Sequence, residues 1–154
     1  MKRLIRCVAP LVVLVALAFT ASVYSQTTDS AALVDPNTAS EQDLLKLPSM
    51  TPAVVKGLIS RRPFKGPIDL DTYLKGQSLT ADQLTAFYGK AFVRIKLNTA
   101  TRDEILLVPG AGNRMAREFA EYRPWKTKEQ FDKEIGKYVG PQETARLWKY
   151  VVID

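Results

Sequence analysis

The stretch PGAGNR, Pro109 to Arg114, holds two glycines one residue apart, followed at once by an asparagine and an arginine. A tight turn between two helices needs only one glycine. Two mean either that two positions require φ above zero or that the backbone itself must be approached closely. If Gly110, Ala111 and Gly112 keep bulk away from the start of the next helix, its first N–H groups and positive dipole end face open space. Asn113 and Arg114 open that helix. Such an arrangement holds an anion. Arg114 stands where it would reach the same anion, with Arg117, Lys126, Lys128 and Lys137 further along. A plainer reading stands beside this one. The glycines only reverse the chain, and the cations are a solvated face, since Glu118, Glu121 and Glu129 lie among them.

Other chemistries lack their residues. The chain has no histidine, which excludes Ser-His-Asp and Cys-His catalysis and the usual His/Cys zinc sites. Cys7 is the only cysteine and lies in the N-terminal apolar segment, so the remaining chain can form no internal disulfide. A dinucleotide loop is disfavoured because Gly-x-Gly-x-x-Gly fails at Met115 and no strand precedes it. A carboxylate-based nuclease needs clustered acids around a metal, and no such spacing occurs. The sequence predicts no enzyme, no cofactor and no metal.

The elements that would position the hairpin read as helices. Ser40 and Thr101 each precede an acid three residues on, Asp43 and Glu104, at capping-box spacing. Leu44, Leu45 and Leu47, like Ile105, Leu106 and Val108, then give one apolar face, which Pro48 and Pro109 end. A second helix is predicted over Pro52 to Arg61 and again over Asn113 to Tyr122, each closed by Arg-Pro. Thr80 with Gln83 and Thr127 with Gln130 cap further helices, and Gly140 before Pro141 fits an N-cap followed by proline at the first helical position. The expectation is eight short helices, with no alternating pattern long enough for a sheet. FVRI and YVVI are short apolar ends.

The chain also repeats. A shift of 61 residues lays NTASEQDLLKLP (Asn37 to Pro48) on NTATRDEILLVP (Asn98 to Pro109), and RPFK (Arg62 to Lys65) on RPWK (Arg123 to Lys126), without a gap. Leu44, Leu47, Val55 and Leu58 fall on Ile105, Val108, Ala116 and Phe119. Identity and polarity recurring at a fixed period indicate duplication. Phe64 and Trp125 sit at the same joint, and core anchoring is favoured over stacking on a base. Each unit of about 60 residues is near the lower limit for a core that folds alone, so the two are expected to lean on each other.

These residues resemble a known family. NTATRDEILLVPGAGNRMAREFAEYRPW is similar to the helix-hairpin-helix motif of ComEA-type competence DNA-binding proteins, with its Asn-Thr-Ala-Thr opening, Leu-Pro-Gly-x-Gly-like hairpin and terminal Arg before an aromatic. The likeness covers residues 34 to 154 as two copies and is strongest from Asn98 to Trp125. It implies an all-α fold of two tandem repeats, each a pair of helix-hairpin-helix motifs in a SAM-like small helical domain. It also implies that the Gly-x-Gly turn is pressed against a nucleic-acid phosphate, with Arg114 in the family's common basic position. Phosphate contacts carry no base information, so binding would ignore sequence.

The first unit departs from the pattern. Its hairpin is PSMTPAVV, where Ser49 and Thr51 stand in place of the glycines and Ala53 in place of the arginine. Cβ atoms crowd that turn and Pro52 removes a donor. Lys56, Arg61, Arg62 and Lys65 remain nearby, but unit one is expected to be structural or to bind a protein.

The first 25 residues read as a secretory signal peptide. Lys2, Arg3 and Arg6 precede an apolar run from Val8 to Ala21, and small residues flank a cleavage point before Gln26. The alternative is an uncleaved membrane anchor, although the run falls short of the roughly 20 residues of a span. Removing this segment takes away three of the 22 basic residues and none of the 16 acidic ones, leaving 19 against 16, or +3 instead of +6. That charge permits a nucleic-acid partner without demanding one. The expected layout is therefore a signal peptide (1–25), a linker (26–33), unit one (34–95) and unit two (96–154). The expected protein is periplasmic or extracellular and binds DNA weakly and non-specifically, alongside envelope or DNA-uptake proteins; it touches membrane only if the leader stays. The rival expectation is a structural or protein-interaction module that has lost nucleic acid. Cleavage predicts that N-terminal sequencing of protein from its native host starts at or near Gln26. A full-length chain in the membrane fraction would instead establish the anchor.

Overall fold

The computed structural model describes residues 32–154, so the expected leader and most of the expected linker lie outside the described residues. Helices dominate, as expected. In chain order they are α1 (Glu41–Leu45), α2 (Pro52–Arg61), α3 (Pro67–Gly76), α4 (Ala81–Tyr88), α5 (Arg102–Leu106), α6 (Asn113–Glu121) and α7 (Lys128–Trp148). The last is broken at Gly140, whose φ of 75° and ψ of 169° are not helical, with Pro141 directly after it. Its two segments, 128–139 and 141–148, account for the eighth expected helix. Among the described residues, no helix is long and apolar enough to cross a membrane.

Five of the seven described helices start at a capping Ser or Thr side chain. Thr80 and Thr101 form complete capping boxes with Gln83 and Glu104. Ser40 accepts from the Asp43 N–H (3.1 Å) and Thr127 from the Gln130 N–H (3.1 Å). Gln130 does not return the bond to Thr127; its Oε1 accepts from the Lys126 N–H at 2.9 Å.

One departure from expectation is a small parallel pair. β1 (Ile95–Lys96) lies beside β2 (Val151–Val152), with Ile95 opposite Val151 and Lys96 opposite Val152. Val34 forms a similar isolated parallel bridge with Ala91. These segments are too short to carry an alternating pattern, which is why the sequence does not announce them. Ile95, placed by the sequence reading at the end of the first unit, pairs forward with Val151. The ungapped shift also needs correction beyond the second Arg-Pro. Val34 N–H donates to the Lys90 carbonyl, whereas Ile95 N–H donates to Tyr150, so the spacing drops from 61 to 60. The residue is lost between α3 and α4 on one side and the Gly140 break on the other.

A single apolar cluster runs through all of the described helices. Leu44, Leu47, Val55 and Leu58 are buried, as are Ile105, Val108, Ala116 and Phe119. Phe64 and Trp125 are buried too, and the Trp125 indole N–H donates to the Phe119 carbonyl at 2.8 Å. Tyr150 joins the two ends of this core: its ring meets Phe92 edge-on at 5.2 Å and its hydroxyl donates to the Tyr88 carbonyl at 3.1 Å. Neither expected unit keeps a separate core.

Truncating Leu58 or Phe119, both fully buried, to alanine should therefore cost about 2–5 kcal/mol. Denaturant unfolding should show one cooperative transition moved to lower midpoint by either change. An unchanged midpoint would contradict the shared core.

Candidate functional site

The α5–α6 hairpin answers the question raised by its two glycines, and it gives each a different task. Gly110 has φ of +79°, the left-handed region where a Cβ is strained. A Cβ there would also lie 2.8 Å from the Arg146 guanidinium. Gly112 has an ordinary extended conformation (φ −80°, ψ −175°), and a Cβ there would meet nothing within 4 Å. Conformation demands glycine at 110 only. At 112 the missing side chain leaves α6 uncapped.

The first hairpin shows the difference. Ser49 takes the left-handed conformation (φ 62°) in the place of Gly110. Thr51 takes the place of Gly112, and its hydroxyl accepts from the Val54 N–H at 3.3 Å. Pro52 has no N–H to offer. On α6, by contrast, no side chain caps the start, and the N–H groups of Asn113, Arg114 and Met115 make no hydrogen bond among the described residues.

The nine residues singled out from the sequence do not form one patch. Gly110, Gly112, Asn113 and Arg114 stand together at the hairpin. Asn113 Oδ1 accepts from Arg102 at 2.7 Å, and the Arg114 guanidinium lies 4.6 Å over the Tyr138 ring. Ala111 contributes less than expected: its side chain is buried and its N–H donates to the Val108 carbonyl at 2.9 Å. Arg117 is exposed one turn after Arg114. Lys137 lies near this group, 5.5 Å over the Tyr122 ring, but it is bound to Glu134, which raises its pKa. Tyr122 and Tyr138 share a 2.9 Å hydroxyl contact. That bond, together with Glu118, raises the Tyr138 pKa and keeps the phenol neutral beneath Arg114.

Lys126 and Lys128 belong elsewhere. They border a groove with Trp148, Lys149 and Arg94, and Lys128 is paired with Asp132. The hairpin instead walls a different cavity of about 550 Å³, opposite Asp71, Lys75, Leu84 and Tyr88. Asp71 there is matched by Lys75 (2.7 Å) and by the Tyr88 hydroxyl (2.8 Å). Among the described residues, no His, Cys, Asp and Glu group could hold a metal ion.

Several residues that hold the hairpin escaped the sequence reading. Arg146 donates to the Pro109 carbonyl and pairs with Glu143 at 2.6 Å, fixing the turn from below. Its match on α4 is Ala86, so the internal repeat carries no sign of it. Asn98 and Arg123 were visible as recurring letters, yet their work was not. The Asn98 side chain bonds both the N–H (2.6 Å) and the carbonyl (3.1 Å) of Trp125. Arg123 donates to the carbonyls of Leu97 (2.8 Å) and Ala100 (2.5 Å). Arg62 makes the same clamp on Pro36 and Ala39, so it is a structural cation and not a reserve of basic charge.

Compared with family models, curated proteins and solved structures, the chain finds no match.

The two glycines should respond in opposite directions. Gly110→Ala should destabilise by about 1–2 kcal/mol through left-handed strain alone. Gly112→Thr should fold at least as well as the natural chain, gaining a few tenths of a kcal/mol from a restored cap, by order of magnitude. Thermal unfolding of the two variants checks this. A Gly112→Thr variant as damaged as Gly110→Ala would contradict it.

Proposed function

We propose that this chain is an exported, non-catalytic DNA-binding protein that grips the phosphate backbone without regard to sequence. In this reading residues 34–154 are two tandem helix-hairpin-helix units of the ComEA type, behind a cleaved leader, acting in DNA uptake outside the cytoplasm. The observation that carries the reading is the uncapped start of α6. Three open N–H groups and a positive dipole end stand where Gly112 leaves no side chain in the way, with Arg114 in the same turn and its guanidinium over Tyr138. The matched clamps at Asn37 and Asn98, and at Arg62 and Arg123, support the tandem arrangement.

The site is confined to the second hairpin, because in the first Thr51 caps the Val54 N–H and Pro52 has none, leaving only the Ala53 N–H. Its charge is modest. Lys128 and Lys137 each have an acidic partner, which leaves Arg114 and Arg117 on α6, with Arg102 bonded to Asn113, as the cations of this hairpin. Those pairings favour the second reading, an interaction module without nucleic acid, and they set the scale of binding.

For the full chain on a short random duplex, two to three phosphate contacts give a log–log salt slope of roughly −2 to −3, with affinity on the order of micromolar or weaker. Arg114→Ala should weaken binding to all sequences alike and flatten the slope by about one unit. Gly112→Thr should weaken it while leaving the fold intact, and Thr51→Val should leave it unchanged. Absence of any salt-dependent duplex binding would hand the function to the interaction-module reading.

A further inference from the structure

The groove that holds Lys126 and Lys128 has a character of its own. It encloses about 400 Å³ between the first turn of α7, its last residues and β2, with Leu33 and Arg94 at its edges. Arg94, Lys126, Lys128 and Lys149 all line it, and no acid does. Lys128 is paired with Asp132. Arg94 and Lys126 form no ion pair among the described residues, so the groove carries a positive field.

Its floor is aromatic. Trp148 is half-buried, with Phe131 supporting its ring at 5.2 Å and Lys128 lying 5.6 Å over it. The contrast with the other tryptophan is informative. Trp125 is buried and its indole N–H is bonded to Phe119, as a core residue requires. The Trp148 indole makes no hydrogen bond among the described residues and is not sealed from solvent. Exposed Val152 extends the apolar surface beside it.

We infer that this groove is a second nucleic-acid contact that takes single strands, with a base against Trp148 and phosphates on Arg94 and Lys126. The choice of nucleic acid rests on the function proposed above; the place rests on the groove. Cations alone would suit any polyanion, and the indole is what selects a base. Base-on-aromatic stacking needs an unpaired nucleotide, because a duplex keeps its base faces stacked on one another. Lys128, on a flexible exposed stem, swings off the indole to admit the base; such a surface cation–π contact is weaker than stacking. The groove shares no residue with the hairpin cavity, so the two contacts can be separated.

The chain's two tryptophans make the test direct, since Trp125 is shielded and Trp148 is not. The full chain is titrated with a ten-residue oligothymidylate at low salt while tryptophan emission is followed. Saturable quenching is expected, reversed by salt with a slope of roughly −1.4 for two single-strand phosphates. Arg94→Ala with Lys126→Ala, two exposed positions outside the core, should raise the oligonucleotide Kd about tenfold. Arg114→Ala should leave the Kd read by quenching within about twofold, because that emission reports the groove at Trp148, which shares no residue with the hairpin cavity. Trp148→Leu should abolish the quenching signal. No quenching, or an affinity indifferent to the double change at 94 and 126, would overturn the inference. Polyglutamate of equal length binding as tightly would overturn it as well and make the groove an acidic-peptide site. Duplex binding lost with oligothymidylate binding intact would sink the hairpin reading alone, and the reverse result would sink this one alone.

Discussion

The hairpin depends on a contact that no ligand touches. The Asn98 side chain mimics one step of a strand, accepting from the Trp125 N–H and donating to its carbonyl, and Asn37 does the same for Phe64. Each asparagine sits just before the first helix of a hairpin pair, and each aromatic just after the second. The bonds therefore close the pair at its open end. Arg62 and Arg123 close it again, each with two donors on carbonyls of the same loop. With both ends tied, two helices of five and nine residues can hold the Gly110 turn in place. Neither would be stable alone at that length.

The two hairpins follow one backbone path and differ at the start of the second helix. Both turns pass through a left-handed residue, Ser49 in one and Gly110 in the other. Both next helices start from an extended residue, Thr51 or Gly112. The difference is a hydroxyl and a proline. Thr51 and Pro52 satisfy or remove two of the three donors at the start of α2, and Gly112 leaves all three of α6 unmet. The open helix end is less stable by the value of its missing cap, a small cost by order of magnitude, and that deficit is what an anion would supply.

Much of this was legible in the letters, and for physical reasons. Capping residues and apolar spacing act locally, so α1, α2, α4 and α5 follow from a few neighbouring side chains. The buried positions Leu58 and Phe119 followed from the period. What was illegible depends on contacts across the fold. Arg146 reaches Pro109 from 37 residues away, and nothing near it in sequence marks that bond. The parallel pair of Ile95 and Val151 spans two residues on each side, too few for any pattern. Lys126 and Lys128 looked like companions of the hairpin because they follow it in sequence; α7 carries them to a different groove. The letters leave Gly112 either needing a positive φ or keeping bulk away; its φ is ordinary, and a Cβ there would meet only open space.

The central claim is that the amides at the start of α6 receive a phosphate. Amide-resolved NMR of the isotope-labelled full chain, titrated with a short blunt duplex, tests it at the atoms concerned. The account predicts the largest shift changes at Asn113, Arg114 and Met115, growing with duplex and receding with added salt, while Ala53 and Val54 stay still. Equal changes at both hairpins, or none at the start of α6 when duplex is bound, would contradict it.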